Sequence, residues 1–96
     1  MTPFVVERVM AITRADFLRL LPLVTEVKGL IEVGESGVHV MDKGQLISIS
    51  LFEEADTEVA SLRLPRLRVR IEFFTTTAAI KDFMFRFDRA FQRGGG

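Results

Sequence analysis

Three side chains of this sequence have the types a hydrolase would use: Glu32, His39 and Ser48 supply an acid, a base and a nucleophile. They act together only if the fold brings them together, and strand pairing does so. Apolar residues alternate in "LIEV", "VHVM" and "LISISLF". The register that buries Ile31, Val33, Val38, Val40, Ile47, Ile49 and Leu51 sets Glu32, His39 and Ser48 side by side on the opposite face. Paired strands hold such side chains about 5 Å apart at Cβ. Catalysis asks for more, namely donors aimed at a developing oxyanion and a pocket that excludes water. The outer face of an open sheet offers neither. The row is read as polar strand surface, and the chain as no enzyme.

A second pattern is "RLPRLRVRIEFF", residues 63–74. Arg66, Arg68 and Arg70 alternate with Leu67, Val69 and Ile71, so they share the outer face of a strand, whereas Arg63 precedes the proline. A guanidinium row of this kind suits phosphate contacts. Thirteen basic and thirteen acidic side chains cancel, however, and leave no long-range field to draw in nucleic acid or an anionic membrane. Nucleic-acid readers also combine a basic excess with aromatic stacking. The sequence instead predicts acids beside the arginines: Glu7 on a neighbouring strand, with Ser48 and Ser50 flanking the other side. Cross-strand pairs of that sort contribute about 0.2–1 kcal/mol each.

Other chemistry is thinly supported. The chain has no cysteine and one histidine, so neither a thiolate nucleophile nor a metal centre built on cysteine or histidine is expected, and no cofactor is implied. "GESG" lacks the spacing and the Lys-Ser/Thr of a phosphate loop and reads as a hairpin turn. The closing "RGGG" resembles the diglycine tail of ubiquitin-like sulfur carriers in those residues alone. Such tails leave a strand, whereas here a helix leads into the glycines. The reading is a helix stop at Gly94 and a flexible tail over residues 94–96.

The elements that must carry these residues follow from periodicity. Phe4–Ile12 reads as a strand. Thr13 caps a short helix, with Asp16 favouring its positive end. Phe17, Leu20, Leu21 and Val24 share one face of that helix, and Pro22 bends or ends it near Leu21, within residues 14–25 at most. Leu30–Val33, Val38–Met41 and Leu46–Phe52 read as strands joined by tight turns with even numbers of loop residues. "EEADTE" reads as an acidic connection, followed by a long strand, Ala60–Phe74. In that strand Leu62 and Leu64 are out of phase with Leu67, Val69, Ile71 and Phe73. Pro65 marks the break, where a bulge or kink is expected. Thr77–Phe91 is a helix with Ile80, Phe83, Met84, Phe87 and Phe91 on its buried face.

The ninety-six residues are enough for one core, here a single α+β domain over residues 1–93. The element order is β-α-β-β-β-β-α, which predicts a curved antiparallel sheet of five strands with both helices packed on one face. In element order the chain resembles the TATA-binding-protein-like fold. No apolar run is long enough to cross a bilayer, and Glu7 and Arg8 interrupt the first one, so a cytoplasmic location without a membrane partner is expected. Val5, Val9, Phe52 and Phe74 fall on the outer sheet face, and Phe85 lies off the buried helical stripe among charges. Apolar side chains gathered on one face of a small domain mark an interface. The sequence therefore points to a protein-interaction or self-association module, forming a dimer or binding a protein partner. Its candidate face comprises Glu7, Glu32, His39, Ser48, Ser50, Arg66, Arg68, Arg70 and Phe85. The alternative is a small-molecule or anion-binding protein using the same face, with nucleic acid third.

Overall fold

The structure, a computed structural model, describes residues 3–24, 31–34 and 36–95, with the backbone alone at 31–33 and 92–95. The elements are β1 (Phe4–Met10), α1 (Arg14–Leu20), β2 (Ile31–Val33), β3 (Gly37–Asp42), β4 (Gln45–Val59), β5 (Leu62–Phe73) and α2 (Thr77–Gly95). Four strands of six to fifteen residues make an antiparallel sheet, and the three-residue β2 extends its far edge in the order β1-β5-β4-β3-β2.

Apolar parity sets the register. Ile31 stands opposite Val40, Val33 opposite Val38, Val40 opposite Ile47 and Val38 opposite Ile49, as alternation alone requires. The β3–β4 turn is closed by Lys43 and Gly44, with φ of 51° and 79°. Two central residues with positive φ match the right-handed twist of the flanking strands. At Gly37 the backbones approach so closely that a Cβ would run into the carbonyl oxygen of Ile49, and glycine alone fits there.

Both helices cover one face of the sheet. Phe17, Leu21 and Val24 from the first helical segment and Ile80, Phe83, Met84, Phe87 and Phe91 from α2 join Val38, Val40, Ile47, Ile49, Leu51, Leu67, Val69, Ile71 and Phe73 in one buried cluster. Aromatic contacts bind the layers. Phe17 stacks on Phe91 with centroids 4.8 Å apart, and Phe73 meets Phe83 edge-on at 5.5 Å. Such pairs add stabilisation beyond the area they bury. Thr13 caps α1 by accepting a hydrogen bond from the Asp16 N–H at 3.1 Å. Thr76 does the same for α2 through the Ala79 N–H at 3.3 Å. Pro22 ends the first helix: α1 stops at Leu20 and passes into a 3-10 turn over Leu21–Leu23. Residue 25 of the expected span lies outside the described residues.

Three expectations need correction. Strand β1 ends at Met10 rather than Ile12. "EEADTE" is not a connection: β4 runs unbroken through it to Val59, and the reversal falls at Ala60 and Ser61, both at positive φ. The bulge expected at Pro65 is present, with the extra residue on the facing strand β4. Glu54 pairs with Arg66 and Thr57 with Leu64, so Ala55 and Asp56 together oppose Pro65. Proline has no N–H for the ladder, and the extra residue on the partner strand absorbs the defect. Finally, α2 carries helical backbone past Gly94 to Gly95. Glycine costs about 1 kcal/mol in a helix but does not forbid one. Gly96 lies outside the described residues.

Candidate interaction face

The face of the sheet turned away from the helices is built by the strand positions that alternate with the core. On β5 these are Leu62, Leu64, Arg66, Arg68, Arg70 and Glu72, because Leu67, Val69, Ile71 and Phe73 are buried. Strand β1 lies beside β5, pairing Glu7 with Arg70, Val9 with Arg68 and Val5 with Glu72. On the other side β4 sets Ser50 opposite Arg70, Phe52 opposite Arg68 and Glu54 opposite Arg66. Glu32, His39, Ser48 and Glu72 form one row across four strands by the same pairing.

The charges on this face answer one another within the chain. Arg68 lies between Glu7 and Glu54, at 3.5 and 3.8 Å, and its guanidinium sits 4.4 Å from the centre of the Phe52 ring. Arg66 reaches Glu54 at 3.8 Å, and Arg70 reaches Glu72 at 3.9 Å. Glu7 was legible as an arginine partner in the sequence. Glu54 was missed because its segment had been assigned to a loop. Three arginines facing three glutamates make the centre of the face nearly neutral. At these distances and exposures each pair contributes between nothing and about 1 kcal/mol.

His39 stands opposite Ser48 and Glu32 opposite His39, as the register requires, with His39 exposed. A half-open depression lined by Gly34, Ser36, Gly37, His39, Ser48 and Ser50 adjoins the row. Among the described residues no group of three or more metal-ligating side chains comes together, and no helix is long and apolar enough to cross a membrane. Phe85 is exposed on α2, on the opposite side of the molecule from the arginine row.

Beyond the core the β4–β5 ribbon continues as an arm. Every residue from Phe52 to Leu64 is exposed. Pairing carries Val59 opposite Leu62 and Thr57 opposite Leu64, on the same side as the arginines. Leu62 is 65% exposed and Val59 52%. At the other end of the face Met41 pairs with Leu46, and both are exposed, as is Phe74 just past β5. The face therefore has two apolar ends, and between them a belt in which neutralised charges are interspersed with exposed Val5, Val9 and Phe52. The phase of Leu62 and Leu64 is visible in the sequence as a bulge or kink at Pro65, but not as an apolar side of an arm.

The most tightly bonded polar cluster lies on the helix side. Arg86 donates to both carboxylate oxygens of Asp42, to Asp82 at 2.8 Å and to the Val24 carbonyl at 2.6 Å. The bonds it donates to Asp42 hold the Arg86 guanidinium still more firmly in its charged form, against the opposing effect of burial. Hydrogen bonds from Lys43 and then Arg86 hold the Asp82 carboxyl below its ordinary value. The two terminal nitrogens of Arg86 are engaged, while its buried Nε has no hydrogen-bond partner among the described residues, and the cluster fastens the β3–β4 turn to α2.

No protein-family model, curated protein or solved structure matches this chain.

Proposed function

We propose that this chain is a non-enzymatic protein-interaction module whose contact surface is the outer face of the sheet, extended onto the β4–β5 arm. The observation that carries the reading is the arm. A two-stranded ribbon is marginal by itself in water, yet this one displays Val59, Leu62 and Leu64 to solvent in line with a bare sheet face. Contiguous exposed apolar surface on a small domain is the mark of a docking site. The candidate residues Glu7, Ser50, Arg66, Arg68 and Arg70 form its polar centre, with Glu32, His39 and Ser48 toward the β2 edge. In element order the chain resembles the TATA-binding-protein-like fold. Shared architecture does not name a partner.

A second reading, small-anion or polar-ligand binding, is favoured only by the serine-lined depression beside His39. A titration with labelled single- and double-stranded oligonucleotides and with tripolyphosphate, on the parent and on Arg68→Glu, separates the classes. The interaction reading expects no binding by either protein at physiological salt. Binding that falls steeply with salt and is lost in Arg68→Glu overturns it in favour of a polyanion site.

A further inference from the structure

We infer that the occupant of this face is a second copy of the chain, docked antiparallel so that the apolar arm of each copy rests on the apolar base of the other. The inference rests on the interaction reading above and adds the partner and its orientation. Its starting point is the order of side chains along the outward row of β5: Leu62 and Leu64, then three arginines and Glu72, then Phe74 just beyond the strand. Arg68 is the midpoint between Leu62 and Phe74. A two-fold axis through that point exchanges the two ends of the row, which are roughly 40 Å apart at ~3.3 Å per residue. Val59 and Leu62 with Leu64 on the arm would then meet Leu46, Met41 and Phe74 on the partner copy, and the contact occurs twice, as an isologous interface demands.

Charge permits this approach. The belt at the centre pairs Arg66, Arg68 and Arg70 with Glu54, Glu7 and Glu72 inside each copy, and the chain as a whole has no net charge. Two such belts face one another without net repulsion and stay hydrated, as interface polar groups commonly do. Size is adequate as well. The four longer strands present a plane of roughly 630 Å² at ~3.3 Å per residue and ~4.8 Å between strands. Accessible area on a pleated face exceeds its plane, which brings it near the ~800 Å² per partner of a standard interface.

The test is complementation. Leu62→Asp/Leu64→Asp spoils the arm and Phe74→Asp spoils the base, both at exposed positions, with circular dichroism confirming that each variant folds. Sedimentation equilibrium should show the parent at twice 10.9 kDa and each variant alone at least tenfold weaker in self-association. An equimolar mixture of the two variants retains one intact arm-on-base contact per dimer and should associate more tightly than either variant alone. If charge at these positions unfolds a variant, Leu64→Ser and Phe74→Ser replace them in the same mixture. A parent that stays monomeric up to about 1 mM, in the range of the weakest specific complexes, overturns the second copy as occupant. That outcome leaves the interaction reading to its own anion titration. A dimeric parent whose variants remain dimeric, or fail to gain on mixing, overturns the antiparallel arm-on-base arrangement.

Discussion

Arg86 on α2 grips Asp42 at the end of β3 with two parallel hydrogen bonds, 3.0 and 2.7 Å long, across forty-four residues of sequence. Both side chains are nearly withdrawn from water, at 13% and 7% exposure. The same guanidinium closes the carbonyl of Val24, so one side chain joins the end of the first helical segment, the β3–β4 turn and the last helix. A planar fork that holds a carboxylate with two nitrogens cannot be replaced by an ammonium without losing that geometry.

Removing one partner should therefore hurt more than removing both. Asp42→Asn leaves the largely buried guanidinium with only the exposed Asp82 as counter-charge, and a loss of about 3 kcal/mol is expected, at the low end of the usual cost of breaking a buried pair. Arg86→Met should cost at least as much, since the Val24 carbonyl also loses its donor. The double substitution Asp42→Leu/Arg86→Met should recover part of the loss. Urea unfolding of the four proteins gives the cycle, and additive losses in the double variant would contradict a coupled pair.

Asp82 gives the pair a pH dependence. Its carboxyl is held below the ordinary value by Lys43 and Arg86, so the folded state favours the charged form. Its contribution is present above the unfolded carboxylate range and is lost as pH falls through the lowered folded value. The urea midpoint of the parent should exceed that of Asp82→Asn near neutrality and converge on it in acid. Because Asp82 faces solvent, high salt should narrow the difference at neutral pH.

The aromatic core makes a simpler demand. Phe87 is fully buried and touches Phe17, Phe83 and Phe91, with ring centroids 6.1, 6.2 and 4.6 Å away. Phe87→Ala should cost about 3–5 kcal/mol, a large share of what a domain of this size has. Thermal melts that match the parent would show that the ring cluster is not part of the cooperative core.

Gly37 tests the register of β3 on β4. Since a Cβ there meets the Ile49 carbonyl oxygen and not a yielding side chain, Gly37→Ala must move backbone, at about 1–3 kcal/mol as in overpacked cores. Gly44→Ala meets open space but keeps a φ of 79°, so it should cost only the left-handed strain of about 1–2 kcal/mol. Equilibrium unfolding of both variants checks whether Gly37 is limited by space and Gly44 by backbone angle.

The sequence was most informative wherever one face of an element is buried and the other wet. The parity of Val38, Val40, Ile47 and Ile49 forced the β3–β4 register, and the spacing of Ile80, Phe83, Phe87 and Phe91 forced the buried stripe of α2. The same logic failed in "EEADTE", because a strand exposed on both faces has no alternation to display, and its polarity imitates a loop. Leu62 and Leu64 carried the missing signal: two apolar residues kept to the arginine side of the strand. The Arg86–Asp42 grip was illegible for another reason. Helical spacing brings Asp82 beside Arg86, but nothing local shows that a turn residue forty-four positions earlier arrives at the same guanidinium.

The arm also permits a prediction about dynamics. Its reversal places Ala60 and Ser61 at φ of 48° and 72°, values that Asn and Gly adopt with far less strain. Among the described residues the paired strands around it are exposed on both faces, so their opening should be nearly independent of the core. Ala60→Asn/Ser61→Gly should therefore slow amide exchange at Thr57, Glu58, Leu62 and Arg63 several-fold, while leaving exchange at Ile49, Val69 and Ile71 unchanged. Raising the concentration of the parent should slow the same arm amides, because docking covers them, and diluting it should release them. If the turn substitution also slows exchange in the core strands, the arm unfolds together with the body. If arm exchange is the same at every concentration, nothing covers the arm when the copies meet.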